Sequence, residues 1–197
     1  MIQKLPNIFS RIINLPAYLL VKFQSKFISE LGKNTFLGLS TKIIGHKYIR
    51  IDDNVRIGDN SIITAWDLYN QINFNPQLTI KENTTIGDYA HITCINKVLL
   101  HQNIMIGKFV TITDNSHGDP SKYNEIELSQ NPKDRNLYSK GPVVICENVW
   151  IGDKVSILPN VTIGRSSVVG ANSVVTKNIP PFCVYAGNPA KLIKKLK

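Results

Sequence analysis

Residues 151–175, IGDKVSILPNVTIGRSSVVGANSVV, place a branched aliphatic residue at every sixth position. A period of six fits neither the 3.6-residue turn of a helix nor the alternation of an isolated hairpin. Short strands joined by tight corners satisfy it, because each repeat then returns an equivalent side chain to the same interior line. The stretch therefore predicts a solenoid of short strands.

The same spacing extends toward the N-terminus. Fifteen positions in four phased groups hold only Ile, Leu or Val: Ile51, Ile57, Ile63; Ile80, Ile86, Ile92; Leu100, Ile106, Ile112; Ile145, Ile151, Ile157, Ile163, Val169, Val175. Asparagine stands three places after the aliphatic residue at Asn54, Asn60, Asn83, Asn103, Asn115, Asn148, Asn160, Asn172 and Asn178. Asparagine tolerates positive φ, so these positions mark corners. Small or β-branched residues follow one place later, and we expect them to point inward.

The repeat is interrupted in three places. Residues 64–79 break the pattern and are expected to loop out, and the spacing from Ile112 to Ile145 indicates a long protruding loop. Two residues inserted near Asn96 and Lys97 indicate a bulged corner. Loops on a rigid support carry function, so the active site is expected where the longest loop leaves the scaffold.

The segments IGDNSI, IGDYAH, IGKFVT, IGDKVS, IGRSSV and VGANSV resemble the hexapeptide-repeat acyltransferases. This resemblance implies an all-β fold, a left-handed parallel β-helix in which three hexapeptides form one triangular coil. Across roughly residues 50–195 the chain resembles the sugar and polysaccharide O-acetyltransferases of that family more narrowly, through TDNSHGDP and YSKGPVVICENVWIGDKVSILPNVTIG.

The chain of 197 residues fits one domain with small appendages. We expect a helical N-terminal cap at 1–40, a β-helix at 41–185 with a loop at 118–142, and a C-terminal tail at 186–197. Within the cap, residues 17–31 place Leu20, Phe23, Phe27 and Leu31 on one helical face. This face either covers the open end of the solenoid or rests on anionic lipid.

His117 lies in ITDNSHGDP, residues 112–120, where the repeat stops. Its phase places it on the outer surface beside a corner, at the root of the long loop. An imidazole, with a reference pKa of about 6.5, can accept a proton from a hydroxyl near neutral pH, which suits a general base. The resemblance implies the same role: His117 activates an acceptor hydroxyl, which attacks the thioester of acetyl-CoA without a covalent acyl-enzyme.

Four neighbours of His117 are candidates for supporting roles. Asp114 and Asp119 would orient or polarise the imidazole, or only solvate the loop. Asn115 is a substrate-binding candidate, although it also occupies a corner slot. Lys97 precedes His117 by one 18-residue coil plus the two inserted residues, so it is expected directly below His117, where it contacts acceptor oxygens or is merely solvated.

The cofactor residues follow from the resemblance alone. It implies that the arm of CoA lies along the C-terminal coils, against Gly152 and Ala171 and then Thr176 and Lys177. The segment AGNPAK, residues 186–191, matches the terminal motif near the adenine end and assigns Asn188, Pro189 and Lys191. Trp150 either flanks the thioester or covers an outer face at a subunit boundary. Members of the family are trimers with the active site between subunits, so a homotrimer is expected.

Composition limits the binding partners, the cysteine chemistry and the cellular location that can be expected. Net charge is +9, and residues 1–50 hold eight Lys/Arg against one acid. That charge alone does not indicate nucleic-acid binding, but it allows peripheral contact of the basic N-terminus with the inner membrane face. Three widely spaced cysteines indicate neither a disulfide framework nor a thiolate zinc site. With no secretory signal or spanning segment recognised, the expected location is the cytoplasm.

Other functions stay open at this stage. An N-acetyltransferase acting on an amino sugar would use the same base and cofactor groove. A zinc-dependent enzyme of the carbonic anhydrase type would need three convergent histidines, whereas His91, His101 and His117 are 10 and 16 residues apart with no tight pair, so no metal is expected. A solenoid that only binds a partner is the third alternative.

Overall fold

The computed structural model describes residues 19, 23, 26–119, 121–122 and 128–196. Within these residues short parallel strands stack into three sheets that form the walls of a prism. The architecture is an all-β left-handed parallel β-helix. The fold class is confirmed: the six-residue period predicted a solenoid of short strands, and the family resemblance implied its left-handed β-helical form.

Each coil contributes one strand to each wall, in the order sheet A, sheet B, sheet C. Sheet A contains β1 (Glu30–Leu31), β4 (Ile49–Ile51), β9 (Gln77–Ile80), β12 (Lys97–Leu100), β17 (Val143–Ile145) and β20 (Thr162–Ile163). Sheet B contains β2 (Phe36–Leu37), β5 (Arg56–Ile57), β10 (Thr85–Ile86), β13 (Met105–Ile106), β18 (Trp150–Ile151), β21 (Val168–Val169), β23 (Cys183–Ala186) and β24 (Lys191–Lys195). Sheet C contains β3 (Lys42–Ile44), β6 (Ile62–Ala65), β11 (His91–Cys94), β14 (Thr111–Thr113), β19 (Ser156–Ile157) and β22 (Val174–Val175).

Among the described residues, two antiparallel hairpins lie outside these walls. One pairs β7 (Leu68–Tyr69) with β8 (Ile72–Asn73), and the other pairs β15 (Ser116–His117) with β16 (Leu137–Tyr138). In the described part of the chain, two short 3-10 helices span His46–Tyr48 and Pro132–Asp134. No helix among the described residues is long and apolar enough to span a bilayer.

The core is the stack of repeat aliphatics. All fifteen predicted positions are buried, with at most 2% of any side chain exposed. Equivalent residues of successive coils are in register, for example Ile51 with Ile80 and Ile63 with Ile92. Each such side chain contributes about 1.5–3 kcal/mol by leaving water, which explains why the period tolerates so little variation.

Corners from sheet A to B and from B to C are uniform four-residue turns. The third residue of each has a left-handed backbone: Asn34, Asn54, Asn83, Asn103, Asn148 and Ser166 in the first set, Ser40, Asn60, Tyr89, Phe109, Lys154 and Asn172 in the second. Seven of the nine predicted corner asparagines have positive φ. Asn115 and Asn178 do not, so the prediction that these two occupy left-handed corners is wrong.

The corner from sheet C back to sheet A, here called the C–A edge, varies from coil to coil. Successive coils cross it with the helix His46–Tyr48, a hairpin loop at 66–76, the short turn Ile95–Asn96, a long loop at 114–142 and the regular turn 158–161. The long loop therefore begins at 114, not at 118 as predicted. This edge is where the scaffold supports irregular structure.

Both ends of the coil differ from expectation. Glu30–Leu31 pairs with Arg50–Ile51, so the predicted helix is wrong at its C-terminal end and the solenoid begins before residue 41. Leu19 and Phe23 are helical, whereas Leu20 and most of the first 25 residues lie outside the described part. The predicted tail contains β24, which pairs antiparallel with β23 because residues 187–190 reverse the chain.

Candidate active site

The two loops of the C–A edge meet outside the prism. The 66–76 loop leaves after β6 and the 114–142 loop after β14, two coils further along. At their contact the Tyr69 hydroxyl donates to the Lys133 carbonyl at 2.6 Å, and Asn70 Nδ2 donates to the Asp134 carbonyl at 3.1 Å. The hairpin thus supports the longer loop.

His117 lies in this junction, on an exposed strand at the root of the long loop. Its strand is held by the hairpin with β16, and the Gly118 N–H donates to the Asn136 carbonyl at 2.8 Å. The imidazole packs edge-to-face on the Tyr69 ring, with centroids 5.5 Å apart, and Nδ1 is 3.5 Å from the Tyr69 hydroxyl oxygen. An accessible base on a supported strand is the arrangement that proton abstraction from a bound hydroxyl requires.

Asp114 is fully buried and serves the corner beneath the loop. It occupies the interior position two residues after Ile112, beside Cys94 of the preceding coil. Its carboxylate accepts from the backbone N–H groups of Ile95 at 2.9 Å and Asn96 at 2.8 Å. These bonds satisfy the backbone of the bulged corner, so the carboxylate ties the start of the long loop to the corner of the preceding coil.

Asn115 and Lys97 also lie at this edge. Asn115 Nδ2 donates to Asp114 Oδ1 at 3.0 Å and to Thr93 Oγ1 at 3.4 Å, so its amide is engaged in the scaffold. Lys97 is exposed and paired with Gln77. Val98 is in register with Val143, the first residue of β17 after the long loop. Lys97 therefore lies beside the last residue of that loop. It lies at the foot of the loop, and its placement directly below His117 stays a prediction.

Asp119 holds its own loop segment. Oδ1 accepts from the N–H of Ser121 at 3.0 Å and from the Ser121 hydroxyl at 2.7 Å, and Oδ2 is 3.5 Å from Lys122 Nζ. The hydrogen bonds from Ser121, with a smaller effect of the Lys122 charge, lower the pKa of this carboxyl. The group is therefore an anion that stiffens the chain just beyond His117.

The predicted cofactor residues flank sheet C. Gly152 and Ala171 lie in the corners that lead into it, and a Cβ on Gly152 would be 2.7 Å from the Ala171 nitrogen, so glycine permits the two coils to stack. Thr176 and Lys177 are exposed at its opposite border, on the C–A edge. The predicted groups thus lie on both borders of one face, and His117 rises from one of them.

The terminal motif extends the same wall. In the turn between β23 and β24, the Gly187 carbonyl accepts from Val174 N–H at 3.0 Å and Ala190 N–H donates to the Val174 carbonyl at 2.8 Å. The turn therefore extends sheet C by one more hydrogen-bonded segment beside β22. Asn188, Pro189 and Lys191 are exposed there.

Trp150 lies on a different wall. It is in register with Met105 and Val168 on the outer face of sheet B, and 54% of its surface is exposed. Met105 is 59% exposed, and Phe36, which is 45% exposed, lies three strands beyond it in the same row, after Thr85 and Arg56. This apolar row is a separate feature from the His117 junction.

Thiol and metal chemistry have no support among the described residues. Burial, followed by the Asp114 carboxylate at 3.4 Å, raises the pKa of the Cys94 thiol well above its ordinary range. A thiol that stays protonated is a poor nucleophile. His91, His101 and His117 lie on a strand, a sheet A to B corner and a loop hairpin, and the described chain holds no group of three metal-binding side chains.

Sequence reasoning missed Tyr69. The sequence indicates that residues 64–79 break the repeat, but the contact of this segment with the long loop was not predicted. A signal was present: Ile63 and Ile112 occupy the same phase of the three-wall repeat, so both breaks leave the same edge, two coils apart. Counting the phase predicts that the two loops are neighbours.

The family model for the bacterial transferase hexapeptide (six repeats) matches residues 142–177. A protein named as a lipopolysaccharide biosynthesis O-acetyl transferase, WbbJ of Escherichia coli K12, is 36% identical over 151 residues, which is 75% of each chain. A protein named as an acetyltransferase in Schizosaccharomyces pombe is 35% identical over 68% of this chain and 57% of its own length.

Solved structures agree on the fold. AntD, an N-acyltransferase from Bacillus cereus in complex with dTDP and coenzyme A, superposes with a TM-score of 0.73 at 24% identity, covering 90% of this chain and 89% of that one. A maltose O-acetyltransferase from Clostridium difficile 630 gives a TM-score of 0.58 at 27% identity, covering 90% and 74%. With the repeat, the coil geometry and the WbbJ similarity together, the chain belongs to the hexapeptide-repeat acyltransferases.

Proposed function

We propose that this protein is an acetyl-CoA-dependent O-acetyltransferase that acetylates a hydroxyl of a sugar or polysaccharide precursor, with His117 as the general base. The observation that carries the proposal is the exposed imidazole of His117, held at the junction of the two loops beside the face of sheet C. The names of two similar proteins, a lipopolysaccharide biosynthesis O-acetyl transferase and a maltose O-acetyltransferase, support acetyl transfer to a sugar hydroxyl.

In the proposed reaction, His117 takes the proton of the acceptor hydroxyl while the oxygen attacks the thioester carbonyl. The carbon–sulfur bond then breaks, and the imidazolium returns the proton to the departing CoA sulfur, so that histidine ends neutral. Hydrogen-bond donors near the C–A edge stabilise the oxyanion that forms between the two steps. No residue of this chain becomes acylated.

The supporting residues divide by what they touch. Lys97, exposed at the foot of the long loop, is proposed to contact acceptor oxygens. Asp114, Asn115 and Asp119 bond to the scaffold and to the loop itself, so their proposed contribution is to hold His117 in place. CoA is proposed to lie along sheet C between its two flanking groups, Gly152 and Ala171 on one side and Thr176 and Lys177 on the other.

The apolar row on sheet B supports a homotrimer. Phe36, Met105 and Trp150 are aligned on one outer wall, and exposed apolar surface of this kind is typical of an association face. Light scattering of the purified protein tests this assembly: a mass of three chains is expected, and a monomer at working concentration contradicts it.

The decisive experiment follows thiol release from acetyl-CoA with a panel of hydroxyl and amino sugars. Release with a hydroxyl acceptor is expected, and the His117→Ala variant should lose about 10²- to 10⁴-fold in rate while CoA still raises its melting temperature. Full activity in that variant would remove His117 from the mechanism. Activity with amino sugars alone would identify the enzyme as an N-acetyltransferase.

A further inference from the structure

We propose that Tyr69 determines which imidazole nitrogen of His117 acts as the base, by holding the proton on Nδ1 and leaving the lone pair on Nε2. This inference rests on the proposed function, because it concerns the same imidazole. Tyr69 would be a positioning residue, supplied by a loop that belongs to another coil.

The hydroxyl of Tyr69 has one proton to donate. The Lys133 carbonyl lies 2.6 Å from the hydroxyl oxygen, whereas His117 Nδ1 lies at 3.5 Å. A carbonyl can only accept, and the shorter distance is that of a strong hydrogen bond. The proton is therefore directed to Lys133, and the lone pairs of the phenol oxygen are what remains to face Nδ1.

A neutral imidazole carries its proton on one nitrogen and a lone pair on the other. If both Nδ1 and the phenol oxygen presented lone pairs, they would repel each other, so this contact favours the tautomer with Nδ1–H. The base is then Nε2. At 3.5 Å the Nδ1 contact is long, as catalytic hydrogen bonds often are before a substrate is bound.

The geometry is supported by the hairpin that carries Tyr69. Asn70 and Gln71 have φ of 45° and 64°, which are the left-handed values that a tight two-residue hairpin turn requires. Tyr69 pairs with Ile72 across that turn. At the root of the hairpin, Asp67 Oδ2 accepts from the Tyr48 hydroxyl at 3.2 Å and lies 3.1 Å from Lys47 Nζ. Tyr69 therefore lies on a hairpin that is stabilised at both its turn and its root.

The alternative is that Tyr69 only holds the two loops together and does not affect the His117 tautomer. Asn70 joins the same two loops through the Asp134 carbonyl at 3.1 Å, with a side chain that bonds to the long loop's backbone. If Tyr69 merely docked the loops, removing the Asn70 amide would have the same consequence as removing the Tyr69 hydroxyl. Comparison of Tyr69→Phe with Asn70→Ala separates the two roles, since phenylalanine retains the ring contact with His117.

The direct test is the tautomer of His117, read from long-range proton–nitrogen correlation spectra of the full-length protein at a pH where the imidazole is neutral. The His117 signals are assigned by their loss in His117→Gln. A protonated Nδ1 is expected in the parent and in Asn70→Ala, with a shift toward the Nε2–H form in Tyr69→Phe. An Nε2–H tautomer in the parent, or an unchanged tautomer in Tyr69→Phe, would overturn the proposal.

Kinetics provide an independent readout. Tyr69→Phe should lower kcat about three- to tenfold, the range expected for one neutral hydrogen bond, with little change in the KM for acetyl-CoA. Asn70→Ala should change kcat less than Tyr69→Phe, and an equal or larger loss would contradict the proposal. These outcomes are distinct from failure of the general-base mechanism, which is decided by His117→Ala, because the tautomer is measured without turnover.

Discussion

The two regular corners of the prism differ from its third edge in the length and conformation of the connections between strands. At the A to B and B to C corners every coil turns in four residues, with a left-handed third residue. At the C–A edge the connection ranges from the pair Ile95–Asn96 to the segment 114–142. The uniform corners stack the coils, and the variable edge carries the loops that contain the candidate chemistry.

Close stacking explains the uniformity. A Cβ placed on Gly58 would lie 2.5 Å from the nitrogen of Asp88 in the next coil, so even one methyl group would push two coils apart. Insertions at such a corner would break the ladder on both sides. At the C–A edge the extra residues fold outward, where they contact each other instead of the neighbouring coil.

The strongest test of this difference replaces residues 66–76 with a four-residue corner. The coils should still form, because the walls do not depend on the hairpin, but acetyl transfer should fall at least about 100-fold as His117 loses its support. Circular dichroism and the thiol-release assay measure the two effects. The control is a spacer as long as the segment 66–76, inserted between Gln102 and Asn103 in a regular corner. This insertion should lower the melting temperature sharply. Equal tolerance at both places would contradict the distinction.

A second test concerns the buried carboxylate of the variable edge. Asp114→Ala would leave the N–H groups of Ile95 and Asn96 without their acceptor, and we expect a loss of about 2–4 kcal/mol in the free energy of unfolding. Asp153→Ala is the matched change at a regular corner, where an exposed carboxylate accepts from the Lys108 N–H at 2.8 Å; it should cost about 1 kcal/mol or less. Urea titrations compare the two, and equal losses would show that burial of Asp114 is unimportant.

The smallest effect is expected at a single left-handed residue. Asn148 has φ of 60°, and Asn148→Ala should cost about 1–2 kcal/mol because Cβ disfavours this backbone more strongly when no polar side chain offsets it. Asn148→Gly should stay close to the parent, since glycine adopts the same φ without that penalty. Thermal melts of the three proteins test the order, and a glycine variant less stable than alanine would reject this account.

Sequence predicted the scaffold well because its cause is local and repeated. Each aliphatic position and most corner asparagines follow from one geometric unit, so Ile51 and Ile151 could be assigned by the same rule. The candidate site was predicted in part: His117 was selected as a candidate because the repeat stops there. The bond from the Ile95 N–H to Asp114 depends on an irregular corner, and the contact between Tyr69 and His117 depends on the conformations of two loops. The phase of the repeat predicts that these loops are neighbours, but not which of their side chains meet.

The spacing of the two loops has a consequence for how the junction around His117 can change. Because the loops leave from coils two apart, the separation of their roots is a multiple of the strand spacing, about 4.8 Å per coil. Gain or loss of one whole coil between them would therefore change the distance between the two loops in a single discrete step and break the bond between Tyr69 and Lys133. Substitutions within the loops can only adjust their contact by amounts smaller than one such step.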